Sequence, residues 1–114
     1  MALRALFFTN DDAAADSVTR SVASLPIDWI VTACSEQAAI LVEQGDLDLV
    51  LMDCDSERGM KLFQQAEELQ PHRGFRLVRV STGGVTPSSG TVVTKPIDSQ
   101  AFTAKLREIL PLFG

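Results

Sequence analysis

The chain has 114 residues, a formal net charge of -5, 46% hydrophobic and 22% charged residues. That is one domain, residues 1–114, large enough to bury a core without disulfides or structural metals. An acidic surface argues against nucleic-acid binding, which rests on phosphate neutralisation by Lys and Arg. No apolar run reaches the ~18 residues of a membrane span, and the N-terminus carries no signal-peptide pattern, so the expected location is the cytoplasm. Cys34 and Cys54 are expected as free thiols there. Two cysteines and one histidine make a zinc site improbable on composition.

Leu3 to Thr9 holds Leu6-Phe7-Phe8 and reads as a buried strand, with Asn10-Asp11-Asp12 directly after it. Ala13 opens a helix whose inner face is Val18, Val22 and Leu25, capped by Asp11 or Asp12 and stopped by Pro26. Ile27 to Ala33 is the second strand. Ser35 then caps a helix over Glu36 to Gln44 that ends at Gly45. Leu47 to Asp53 is an almost continuous apolar run ending on a carboxylate, the pattern of a strand buried on both faces of a parallel sheet. Ser56 caps a third helix with Leu62, Phe63, Ala66 and Leu69 inward, ending before Pro71. Phe75 to Val80 is a fourth strand followed by Ser81-Thr82, and residues 83–90 read as loop. Thr91 to Thr94 is a short fifth strand. Asp98 caps the last helix, with Ile97 and Phe102 as a hydrophobic staple and Phe102, Leu106, Ile109 and Leu110 as its buried face.

Alternating strands and helices indicate an α/β domain with a mainly parallel sheet. The fourth link is irregular. At ~3.3 Å per residue, residues 83–90 can return alongside a short strand without room for a full helix. They can also form a hairpin, which would make the fifth strand antiparallel and carry Lys95 away from Asp53.

In open α/β sheets ligands bind outside the carboxyl ends of the strands. In the parallel arrangement those ends carry Asn10, Asp11 and Asp12; Asp53; Ser81 and Thr82; and Lys95. Clustered carboxylates repel one another and favour a hard, oxygen-liganded cation such as Mg²⁺. An aspartate beside such an ion can attack a phosphoryl group, with a hydroxyl and an ammonium stabilising its oxygens.

Leu6 to Asp12, Val31 to Ala39, Asp48 to Asp53 and Lys95-Pro96-Ile97-Asp98 together resemble the receiver domains of two-component response regulators. The resemblance covers nearly the whole chain. It implies a flavodoxin-like (CheY-like) five-stranded sheet of order 2-1-3-4-5. It also implies a phosphoacceptor at Asp53, the family hydroxyl at Ser81, with Thr82 as competitor, and the family lysine at Lys95. Mg²⁺ would be held by Asp11, with Asp12 as the alternative one residue on, by Asp53 and by the main-chain carbonyl of Asp55. The implied partners are a histidine kinase or phosphotransfer protein, an output domain or effector, and a second copy of the chain. The implied role is a signalling module, not an enzyme.

The chain departs from that pattern in several places. Asn10 stands where the family has an acid, and the loop after Asp53 reaches Gly59 early. The fourth helix is missing or reduced, and Val92 takes the place of the switch aromatic. A phosphorylation-independent binding module is therefore the rival expectation. A flavin carrier is weaker, because the first strand-helix turn has no glycine-rich or hydroxyl-rich phosphate cradle. Cys54, His72 and Trp29 read as structural or surface residues.

Overall fold

A computed structural model describes residues 3–23, 25–82, 91–95 and 97–109. The elements in chain order are β1 (Leu3–Phe8), α1 (Asp12–Ser21), β2 (Ile27–Thr32), α2 (Ser35–Gln44), β3 (Leu49–Asp53), α3 (Glu57–Arg73), β4 (Arg76–Thr82), β5 (Thr91–Lys95) and α4 (Ser99–Ile109). The strands form one sheet of order β2-β1-β3-β4-β5, and all four pairings are parallel. The hairpin alternative is thereby excluded: Thr82 lies opposite Lys95, so β5 brings its lysine to the same end as Asp53. The expected reduction of a helix between β4 and β5 falls on residues 83–90, which lie outside the described residues.

Side-chain alternation along the strands divides the interior in two. Ala5, Phe7, Leu49, Leu51, Val78 and Val80 pack with Val18 of α1 and with Phe102 and Leu106 of α4. Leu6, Phe8, Val50 and Met52 pack with Ala38 and Val42 of α2 and with Leu62 and Ala66 of α3. Every residue of β3 is buried, as expected for the central strand of a sheet covered on both faces. Each fully buried Phe or Leu contributes about 1.5–3 kcal/mol of burial free energy.

Three local expectations are corrected. α1 ends at Ser21, well before Pro26; Thr19 Oγ1 and Ser21 Oγ donate back to the carbonyls of Ala15 and Ser17, which weakens the helix ahead of its end. The N-cap of α2 is Cys34, and Ser35 is the first helical residue. Thr32 Oγ1 does the local bonding instead, accepting from the Cys34 N–H and donating to Gln37 Oε1. α3 runs through Pro71 to Arg73. The lost bond falls in the last turn, where Glu67 is exposed and its carbonyl can turn to water. The stop is set by Gly74 at φ 77, whose N–H donates to the Gln70 carbonyl.

The other caps follow the sequence reading. Gly45 closes α2 at φ 78, Ser56 Oγ accepts from the Gly59 N–H, and Asp98 Oδ2 accepts from the Ala101 N–H. Ile97 packs on the cluster containing Phe102, as a staple requires. Gly59 has a further reason to be glycine. A Cβ there would collide with the carbonyl oxygen of Asp53, so its absence lets the first turn of α3 sit against the end of β3.

Candidate functional site

The parallel register places Phe8 opposite Met52, Asp53 opposite Val80 and Thr82 opposite Lys95. The ends of β1, β3, β4 and β5 therefore form one rim, with Asp53 at its centre and only 5% exposed. A buried carboxylate needs donors, and both of its oxygens have them. Oδ1 accepts from the Asp55 N–H at 3.0 Å. Oδ2 accepts from Thr9 Oγ1 at 2.6 Å and from Lys95 Nζ at 2.6 Å.

Lys95 is the hub. Its ammonium lies 2.6 Å from Asp53 Oδ2, 3.1 Å from Asp55 Oδ2 and 3.2 Å from Asp11 Oδ2, and its side chain is only 10% exposed. Burial pushes the lysine down, but the hydrogen bonds to Asp53, Asp55 and Asp11 outweigh it and hold the group above the ordinary lysine range. For Asp55, burial raises the carboxyl, whereas the Thr82 hydroxyl, the Thr82 N–H and Lys95 lower it further than burial raises it. The bond from the Ala14 N–H, and then Lys95, hold Asp11 below the usual carboxylate value.

The remaining carboxylate oxygens are also occupied. Asp11 is the N-cap of α1: its Oδ1 accepts from the N–H groups of Ala13 and Ala14, at 3.0 and 3.2 Å. Asp55 Oδ1 accepts from the Thr82 N–H at 2.9 Å, and Oδ2 accepts from Thr82 Oγ1 at 2.7 Å. Beside the cluster, Asp11, Ser17, Thr82, Lys95 and Ile97 line an open cleft of about 290 Å³.

Of the residues expected at the site, Asp11, Asp53, Asp55 and Lys95 come together. Asp55 does so through its side chain. Asp12 is the exposed first residue of α1 and joins none of these contacts, and Asn10 is exposed. Ser81 is buried at the end of β4, yet the hydroxyl that reaches the cluster is that of Thr82, which shares its strand face with Val78 and Val80.

Thr9 was missed by the sequence reading. It is buried, donates to Asp53 and accepts from the Asp11 N–H at 3.0 Å, tying the end of β1 to the cap of α1. The pairing of Phe8 with Met52 is what puts the residue after Phe8 beside Asp53, and that register is not readable from the sequence alone. Cys54 is buried, and burial pushes its thiol up to about 11, in keeping with an inert residue. His72 is exposed in the last turn of α3, and Trp29 packs against Phe102 with ring centroids 6.2 Å apart.

The Mg²⁺ that the resemblance implies can be tested against these donors. The carboxylate oxygens of Asp11, Asp53 and Asp55 converge on the Lys95 ammonium, and every one of the six oxygens already holds a donor. Thr9, a neutral hydroxyl pointing its hydrogen at Asp53, stands at the β1 end. Among the described residues no group of three or more His, Cys, Asp or Glu is arranged to hold a metal ion. With Lys95 in this position the residues do not fit Mg²⁺, which demands near-octahedral oxygen ligands at about 2.0–2.1 Å.

No protein-family model and no curated protein matches the sequence. Solved structures do match, over nearly the whole chain. The signal receiver domain of an HD domain-containing protein from Pseudomonas fluorescens superposes with a TM-score of 0.81 at 16% identity, covering 97% of this chain and 96% of that one. A CheY-like receiver domain from Methanospirillum hungatei gives 0.79 at 19% identity, covering 95% and 93%. The receiver domain of Saccharomyces cerevisiae Ssk1, co-crystallised with the histidine phosphotransfer protein Ypd1, gives 0.77 at 14% identity, covering 95% and 88%. Among the described residues no helix is long and apolar enough to cross a membrane. With its strand order, its all-parallel sheet and these superpositions, the chain has the CheY-like fold of response-regulator receiver domains.

Proposed function

We propose that this domain is a phosphorylation-independent signalling module: a receiver fold that acts by docking to a protein partner without a metal-dependent phosphotransfer step. One observation carries the reading. The three carboxylates of the strand-end rim share the Lys95 ammonium, and Thr9 supplies a hydroxyl beside Asp53. The rim is thus satisfied from within, and Asp53 serves as the structural anchor of its loops. The partner classes are a histidine kinase or phosphotransfer protein, an output domain, and a second copy. The Ssk1 receiver bound to Ypd1 supports the first of these by analogy of fold.

A second reading has its own support. Asp53 is buried at the end of the central strand with Lys95 against it and Ser81 at the neighbouring strand end, the set expected of a phosphoacceptor site. Incubation with acetyl phosphate and Mg²⁺, followed by intact-mass analysis, separates the two. The module reading expects the unmodified mass. A phosphoryl adduct that disappears in Asp53→Asn would overturn it in favour of the second reading.

A further inference from the structure

We propose that the face of β4 and β5 beside α3, centred on Arg79, is the docking surface of this domain. Its occupant is an amphipathic helix of a protein partner that presents one carboxylate within an apolar stripe. The inference deepens the module reading and rests on its claim that the domain acts by docking; what it adds is the surface and the chemistry of the partner.

The two faces of the sheet are covered unequally on the β5 side. On one face, α1 and α4 pack over the strands as far as Val93 of β5. On the other, α2 and α3 cover β1 and β3 and reach Leu77 of β4. Arg79 lies on that second face with Val92 opposite it, and Ser81 with Thr94 opposite it. Among the described residues Val92 joins neither packed cluster, and Thr94 is exposed. Parallel strands are ordinarily covered by helices on both faces, so among the described residues β5 lacks one of its two layers.

The charge on this face says what fits it. Arg79 is half-buried, with its guanidinium carbon 5.9 Å from the centre of the Phe63 ring and its Nη2 3.7 Å from Met60 Sδ. Its Nε is buried without an acceptor, and among the described residues it belongs to no ion pair. A half-buried guanidinium short of acceptors is costly until a carboxylate reaches it, and the pair is then a strong, charge-assisted one. The segment that follows β4 brings no such group: residues 83–90 contain no acidic side chain and one large apolar residue, Val85. Arginine set among methionine and aromatic side chains is the composition of interface centres. A helix with apolar side chains at i, i+3 and i+4 can lie against Met60, Phe63 and Val92 and carry a carboxylate to Arg79.

The test pans a phage-displayed library of helical peptides against the full chain. Recovered peptides should carry an Asp or Glu within an apolar stripe of helical spacing, and should shift the amides of Leu77, Arg79, Val92 and Thr94 in NMR spectra. No binders, binders without the acid, or shifts confined to other surfaces overturn the proposal. Affinity for a recovered peptide should fall at least tenfold in Arg79→Met. It should fall as far in Val92→Glu, which supplies a carboxylate to Arg79 from within, and little in Val92→Gln; affinity unchanged in Arg79→Met and Val92→Glu overturns the proposal. Without peptide, Arg79→Met should melt higher than the wild type, because an uncompensated charge has been replaced by an apolar chain. A lower melting temperature, or failure to fold, would give the guanidinium a structural task and overturn the proposal. Dimerisation of the free chain through these residues would overturn the choice of occupant. An acetyl-phosphate adduct on a chain that binds the peptides here would end the module reading and leave this surface standing. An unmodified mass with no peptide binding would do the reverse.

Discussion

The strand β3 belongs to two different regimes. Leu49 to Met52 are held by generic burial: each is wholly inside, and many apolar neighbours share the contact. Asp53, one residue on, is held by three named donors: Asp55 on one oxygen, Thr9 and Lys95 together on the other. The first regime sets the fold and tolerates substitution as long as volume is conserved. The second sets the geometry of the rim, and each member can be removed individually to see what it does.

The largest effect is expected in the first regime. Phe7→Ala, in the middle of β1 and fully buried, should cost about 3–5 kcal/mol in chemical denaturation, from lost transfer free energy plus a cavity. Lys95→Met in metal-free buffer comes next. It leaves the carboxylates around the vacated point without their cation, at about 2–3 kcal/mol for an ion pair whose rim is partly wet. If the two losses were reversed in size, the division between a generic interior and a specific rim would be wrong. Thr9→Val keeps the shape and removes one donor to Asp53, which should cost about 1–2 kcal/mol.

The pH dependence separates the regimes further. Asp11 and Asp55 have folded values below their ordinary ones, so the stability they contribute is present above the unfolded carboxylate value, about 4. It is lost as pH falls through the folded values. Lys95 is raised, so its contribution is present below the unfolded lysine value and survives until pH passes above the ordinary lysine range. In the apolar interior, Cys54 is raised from 9.0 to about 11, so stability declines as pH rises through that window. Denaturation midpoints should therefore be level between about pH 5 and 8. The acid limb should move upward in Lys95→Met, and the alkaline limb should flatten in Cys54→Ala.

The interior was legible because apolar runs report burial directly. Leu6-Phe7-Phe8 and Leu49-Val50-Leu51-Met52 read as buried strands, and strand-helix alternation then indicates the class. Helix ends were read less well where a residue had two uses. Pro71 reads as a stop, yet an exposed last turn tolerates it, and Gly74 sets the end. Ser35 reads as a cap, yet Thr32 already bonds the turn.

At the rim, Asp53, Asp11 and Lys95 were visible as polar groups at strand ends. The family resemblance implies only a main-chain role for Asp55, and the sequence leaves Thr82 second to Ser81 because alternation along β4 has no fixed phase without its register. Thr9 was invisible for a related reason: a threonine at a strand end carries no charge to draw notice. Its role depends on pairing between β1 and β3, two strands far apart in sequence.

The most direct measurement is a backbone amide NMR titration of the wild type with Mg²⁺ and then beryllofluoride, a mimic of an aspartyl-phosphate, with Asp53→Asn as control. A rim already satisfied by Lys95 predicts that the amides of Asp11, Asp53, Asp55, Thr82 and Lys95 keep their positions through both additions. Shifts of those amides that disappear in Asp53→Asn would contradict it, and would make Asp53 a working phosphoacceptor.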